Sequence, residues 1–228
     1  MKKILITGAS RGIGFETAKT LALSGNEVYA VARSKEKLAH LANQHELINP
    51  IESDLSTDDG VSAILKGIEG VESFDALINN AGTLINKPFM ETSIEEWRYQ
   101  VEVNLFAAVR LIKTLKPKLA AGSHIVNIGS MGGFQGSDKF NGLSAYSSSK
   151  GALSILTECL STEFSSENIA VNCLCLGAVQ TEMLNNAFPG YKAPVNPEEM
   201  GKYISDFTLN AHHYMNGRVL PIALNNPS

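Results

Sequence analysis

The sequence predicts a doubly wound α/β fold, a parallel sheet of about seven strands with helices on both faces. Three observations point there. Short β-branched apolar runs alternate with longer amphipathic segments, a glycine-rich turn follows the first run, and no repeat, low-complexity tract or Pro/Ser-rich linker interrupts the pattern.

The strand runs are 2–7 (KKILIT), 26–32 (NEVYAVA), a weaker one near Leu47 to Glu52, 74–79 (FDALIN), 123–129 (SHIVNIG), 169–176 (IAVNCLCL) and a last one near Arg218 to Ile222. Most are near-continuously apolar, as strands covered on both sides must be. Helical patterns lie between them at about 13–24, 34–43, 57–67, 93–119 and 145–165. Between Glu182 and Pro197 the rhythm breaks: Pro189, Gly190, Pro194 and Pro197 fall among Met183, Leu184, Phe188 and Tyr191. That stretch suits either a mobile lid with an apolar underside or an ordinary long connection.

Composition bounds the function. The 228 residues are 44% hydrophobic and 18% charged, which suits a single domain over 1–228 with a substrate lid near 182–200. A formal charge of -4, with no basic block, argues against nucleic acid. The N-terminal apolar stretch is too short for a signal peptide or membrane span, so the expected location is the cytoplasm, with no membrane partner. Cys159, Cys173 and Cys175 read as small apolar residues, with Cys173 and Cys175 on one face of a strand. His212 and His213 have no acidic or thiol cluster around them and read as surface or loop residues, so no metal site is expected.

Two motifs carry chemistry. Thr7 to Gly14 reads TGASRGIG between a strand and a helix, where glycines let the backbone approach a pyrophosphate and the helix N-terminus favours its charge. Tyr146 to Lys150 reads YSSSK, which on a helix stacks a phenol and an ammonium on one face. A free tyrosine, with a pKa of about 10, needs such a cation to exchange protons near neutrality.

With NNAG at Asn79 to Gly82, Asn104 in the following helix and Ser130 at the end of strand 5, these motifs resemble the short-chain dehydrogenase/reductase family, in the same order along most of the chain. The resemblance implies a Rossmann fold and hydride transfer between a nicotinamide cofactor and a carbonyl or alcohol. It places Gly8, Ser10, Arg11, Gly12, Ile13 and Gly14 at the cofactor, with Asp54 and Leu55 at its adenine and Asn80, Ala81 and Gly82 beside it. Gly177, Val179 and Thr181 after strand 6 join the cofactor set, Thr181 at the nicotinamide carboxamide. Tyr146 would exchange the proton, Lys150 would hold the ribose and lower the phenol's pKa, Ser130 would orient the substrate oxygen, and Asn104 would anchor a relay water.

At the end of strand 2, Ala32 stands where the resemblance puts an acid that binds the ribose of NAD, and Arg33 follows. NADP(H) is therefore expected, with Arg33 the main ligand of the 2′-phosphate and Arg11 a helper; Lys35 or Lys37 could serve instead. The expected reaction is NADPH-dependent reduction of a small or medium, mainly apolar ketone or aldehyde. Met131, Phe134, Met183, Leu184 and Phe188 line the expected pocket. Alternatives are reduction of a 3-oxoacyl thioester, or an NADP-sensing interaction protein without turnover. A homodimer or homotetramer through the helices at 93–119 and 145–165 is expected from the resemblance.

The chain departs from the pattern in four places. Ser130 and Tyr146 are sixteen residues apart, more than is usual; Leu176 replaces the proline before Gly177; the lid is short; and the tail after the last strand lacks its usual glycine-containing extension.

Overall fold

The computed structural model describes residues 1–224, and the expectation for the tail beyond Leu224 lies outside the described residues. β1 (Lys3–Thr7), β2 (Glu27–Ala32) and β3 (Ile48–Glu52) build outward in one direction, linked by α1 (Gly12–Leu23) and α2 (Lys35–Ala42). The chain then returns through α3 (Asp58–Gly67) to β4 (Phe74–Asn79), which pairs with the free side of β1. There follow α4 (Ile94–Val101), one π-helical turn (Glu102–Phe106), α5 (Ala107–Leu115) and β5 (Leu119–Ser130). The remaining elements are α6 (Ser144–Glu163), β6 (Ala170–Leu176), α7 (Glu182–Ala187), α8 (Pro197–Asn210) and β7 (Val219–Ile222). All seven strands are parallel, in the order β3-β2-β1-β4-β5-β6-β7. The winding reverses between β1 and β4, so their carboxyl ends open a crevice.

Alternation along each strand divides the core. Ile4 and Ile6 join one apolar layer with Val28, Ala30, Leu174 and Ile204, while Leu5 joins the opposite layer with Val31, Ile64, Leu77 and Leu111. Burying each large side chain contributes about 1.5–3 kcal/mol, and both faces need it, hence the near-continuous apolar runs. Ser34 and Thr57 cap α2 and α3, and Ser93 with Glu96 forms a reciprocal capping box on α4.

Three elements differ from expectation. The helix expected at 93–119 is broken by the π-helical turn and ends in a 3₁₀ turn at Lys116–Lys118, where Pro117 has no amide hydrogen to continue it. The stretch from Glu182 contains the short helix α7, and Pro197 starts α8 at a position that needs no amide donor, backed by an Asn196/Glu199 capping box. α8 lies so close to α1 that a Cβ on Gly201 would sit 2.8 Å from the Thr17 nitrogen. Leu176 for proline lets β6 run on: it pairs with Ser130 on one side and Ile222 on the other, and the Gly177 amide donates to Ile222 O at 2.9 Å.

His212 and His213 lie in a 3₁₀ turn at Ala211–His213 rather than a plain loop, and the partly buried His212 ring packs at a tilt of 39° against the buried His124 of β5. His124 Nδ1 lies 3.0 Å from Thr208 O and Nε2 lies 2.9 Å from Asn172 Nδ2, which assigns the neutral ring with its proton on Nδ1. Burial above all pushes this imidazole down from 6.5 to about 4; the Thr208 carbonyl opposes that, and His212, Lys2 and His213 add to it. The unfolded chain therefore takes up a proton below about pH 6.5 that the folded protein refuses until about pH 4. This stabilisation is complete above pH 6.5 and falls away by about 3 kcal/mol in all as pH drops to 4. Urea unfolding between pH 7 and 4.5 should show the loss, and His124→Gln should flatten the slope even where it lowers stability at pH 7.

Candidate functional site

The glycine turn is held open by its neighbour on β4. Gly8 (φ 67°) and Gly12 (φ 56°) take left-handed conformations that favour glycine. A Cβ on Gly14 would sit 2.4 Å from both Asn80 Nδ2 and Gly8 O, and one on Gly8 would sit 2.9 Å from Asn80 Nδ2. Asn80 Nδ2 donates to Thr7 O at 2.9 Å and Gly8 O at 3.3 Å, while the Asn80 and Ala81 amides donate to Thr7 Oγ1 at 3.0 and 2.9 Å. The Asn80 side chain thus braces the turn. Asn79 points the other way, donating to Asn127 Oδ1 at 2.8 Å, and Asn127 in turn donates to Thr157 of α6 at 2.9 Å.

One cleft of about 940 Å³ runs from this turn across the sheet. Gly8, Ser10, Arg11, Gly12, Ile13, Gly14, Arg33, Asp54, Leu55, Asn80, Ala81, Gly82, Ser130, Tyr146, Lys150, Gly177, Val179 and Thr181 all line it; Asn104 lies just behind. At one end the exposed Arg33 is joined by Ser34 and Lys37, of which Lys37 was a stated alternative and Ser34 was missed. The Asp54 carboxylate accepts from Ser56 Oγ at 2.7 Å and Ser56 N at 3.0 Å. The Ser56 hydroxyl chiefly holds its pKa below the usual range, with Arg33 a smaller influence.

Arg11 lines the cleft, and its guanidinium lies 2.6 Å from Glu182 Oε1 in the first turn of α7.

The chemical end gathers on α6 and the end of β5. The half-buried Tyr146 has its pKa raised by burial, which the neighbouring Ser130 hydroxyl opposes. Lys150, one turn on, is buried and donates to Ile128 O at 2.7 Å; burial pushes its ammonium down to about 8. Ser130 Oγ accepts from the Gly132 amide at 3.2 Å. Asn104 stands in the π-helical turn, accepts from Thr83 N at 2.8 Å, and donates to Thr83 O and Ser149 Oγ, each at 2.9 Å. Beneath Lys150, Cys173 and Cys175 do share one strand face, with their sulfurs 4.0 Å apart and both near Ser154 Oγ.

Met131, Met183, Leu184 and Phe188 line the other end of the cleft. Phe134 does not; it packs against Met131, Cys173 and Cys175 instead, because the turn after Ser130 folds down onto α6, where a Cβ on Gly133 would sit 2.6 Å from Gly151 N. Sequence reasoning missed Leu84, Phe140, Leu143 and Tyr191. Tyr191 carried a signal in its place in the proline-broken stretch, and Phe140 and Leu143 in theirs within the long segment between Ser130 and Tyr146. The long Ser130–Tyr146 segment reaches the lid through Phe140, whose ring packs on Phe188 at 6.4 Å.

The glycine cradle and the tyrosine–lysine pair share one cleft, and the family model described as short chain dehydrogenase matches residues 2–192. The chain belongs to the short-chain dehydrogenases. Carbonyl reductase [NADPH] 2 of Sus scrofa is 33% identical over 184 residues, covering 79% of this chain and 73% of that protein. Fatty acyl-CoA reductase of Acinetobacter baylyi is 32% identical over 213 residues, covering 89% and 71%. The crystal structure of a dehydrogenase/reductase from Sinorhizobium meliloti superposes with a TM-score of 0.88 at 26% identity, covering 100% of this chain and 95% of that one. As a short-chain dehydrogenase, this protein is an oxidoreductase of a family that binds a nicotinamide cofactor, and its cradle fits one: backbone amides at a helix start, with no room for side chains. Among the described residues, no helix is long and apolar enough to cross a membrane, and no cluster of three or more His, Cys, Asp or Glu side chains could hold a metal.

Gly14→Ala tests the cradle. The added methyl must displace the Asn80 amide or the Gly8 carbonyl, so thermal unfolding should show a loss of about 1–3 kcal/mol and titration should show loss of dinucleotide binding.

Proposed function

We propose that this short-chain dehydrogenase is a single-domain, cytoplasmic NADPH-dependent carbonyl reductase acting on small or medium, mainly apolar ketones or aldehydes. The observation that carries the reading is the meeting of Ser130, Tyr146 and Lys150 in the same cleft as the glycine cradle. The cofactor, when bound, supplies the hydride. Tyr146 gives the proton to the carbonyl oxygen, and burial favours the protonated phenol that this requires. Ser130 donates a hydrogen bond to the same oxygen and stabilises the charge that develops there. Lys150, while charged, holds the ribose and favours phenolate once the proton has left. Asn104 supports the relay by fixing the Thr83 backbone beside Gly82.

For the cofactor, Arg33 supports NADP: it is exposed at the cleft, forms no ion pair among the described residues, and follows an alanine where an acid would bind the ribose of NAD. The apolar end, built from Met131, Leu143, Met183, Leu184 and Phe188, favours an uncharged apolar substrate. A second reading is reduction of a 3-oxoacyl thioester by the same residues; its support is that a relative, the fatty acyl-CoA reductase of Acinetobacter baylyi, is named for an acyl thioester. Exposed apolar side chains Ile94, Tyr99, Phe106 and Ile155 on the helices from α4 to α6 favour a homodimer or homotetramer.

Tyr146→Phe should lower the reduction rate by about 10²- to 10⁴-fold while NADPH affinity, followed by fluorescence, changes little. Arg33→Ala should weaken NADPH binding about tenfold or more and leave NADH binding nearly unchanged; equal losses would overturn the NADP assignment. Because Lys150 sits near 8 in the free protein, kcat/KM for NADPH should fall as pH rises above about 8 and hold steady below it.

A further inference from the structure

The short helix α7 is tied down at both ends, each time to a different wall of the cleft. At its start, Glu182 pairs with Arg11 of the glycine turn at 2.6 Å, the two side chains being 54% and 48% exposed. Just before it, Thr181 lies against Gly12, where a Cβ would come within 3.4 Å of the Thr181 methyl. At its end, Ala187 O accepts from Asn86 Nδ2 at 2.8 Å, in the loop that follows the cofactor-lining Gly82. The segment beyond α7 is pinned at its base by the Val179–Val195 bridge and by Gln180, whose side chain accepts from the Ala193 amide at 2.7 Å. α7 is therefore a strap across the mouth, and its two tethers are polar and breakable.

We propose that Glu182 is a positioning residue: by holding Arg11 it latches α7 to the glycine turn, so that dinucleotide exchange requires this ion pair to open. The pair joins the phosphate-binding turn to the apolar lid and couples cofactor retention to closure of the substrate end. Discrimination between NADP and NAD then falls to Arg33 and its neighbours rather than to Arg11. The inference rests on the proposed dinucleotide site, but its first test needs no cofactor.

That test uses Lys192, whose side chain is exposed on the strap's return while the amide just after it is held by Gln180, so that trypsin cleaves there only when the strap opens. When opening is fast relative to cleavage, the cleavage rate reads the open population. An exposed ion pair is worth about a two- to fivefold change in that population. In the cofactor-free full-length protein, Glu182→Gln and Asn86→Ala should each speed cleavage after Lys192 by about that factor. Added salt should speed it in the parent protein but not in Glu182→Gln, and exchanging the charges in Arg11→Glu/Glu182→Arg should restore slow cleavage. A cleavage rate unchanged in Glu182→Gln and insensitive to salt would overturn the latch.

The second test is stopped-flow dissociation of NADPH and NADH. Glu182→Gln should speed both by a similar factor. No acceleration, or a slowing confined to NADPH, would overturn the proposal, the latter by making Glu182 a competitor for Arg11 rather than a latch. If the parent protein binds neither dinucleotide, the proposed function fails while the trypsin result still judges the latch.

Discussion

The site depends on one close approach, the Asn80 side-chain amide lodged against the backbone of the glycine turn. β1 and β4 lie side by side but the chain leaves them in opposite directions, so their ends would otherwise diverge into solvent. Asn80 bonds to Thr7 O and Gly8 O, and Thr7 Oγ1 collects the Asn80 and Ala81 amides in return. This lattice uses the polar groups that strand ends leave unpaired. It also leaves no space for a side chain at Gly8 or Gly14, which is the same condition that lets a pyrophosphate approach the backbone.

Behind the cleft, α6 meets the sheet through an unusually polar face. Ser149, Lys150, Ser154 and Thr157 are all buried there, and each finds a partner: Asn104, Ile128 O, the Lys150 carbonyl and Asn127. A buried ammonium is tolerated only where its hydrogens are placed, and the lowered pKa of Lys150 records the remaining penalty. The network aims Lys150 at the cleft and ties its helix to the π-helical turn that carries Asn104. Around Tyr146, half-buried one turn before Lys150, burial favours the protonated phenol.

Much of this was legible in the sequence because its causes are local. Near-continuous apolar strands and TGASRGIG at a strand-to-helix junction predict the sheet and the place of the crevice, and the spacing of Tyr146 and Lys150 predicts their shared helix face. What was not legible depends on contacts between distant segments. Pro197 reads as a breaker until Asn196 and Glu199 are seen to cap a helix that it begins. Phe134 sits in the segment that reshapes the pocket, yet glycine-permitted packing of 131–133 on α6 turns it into the core, while Phe140 reaches the lid. Arg11 looks like a phosphate ligand by position, and only the fold brings Glu182, far along the chain, to meet it. Leu176, where the family pattern has proline, is likewise held by a distant segment, pairing with Ile222 of β7.

Under the proposed function these residues turn over a carbonyl substrate rather than only hold a dinucleotide. The most direct measurement is NADPH oxidation by the purified protein across a panel of apolar ketones, aldehydes and 3-oxoacyl thioesters, with the alcohol product identified by mass. One alcohol should form for each NADPH consumed, with apolar ketones or aldehydes the best substrates. Tight NADPH binding with no turnover of any compound in the panel would contradict it.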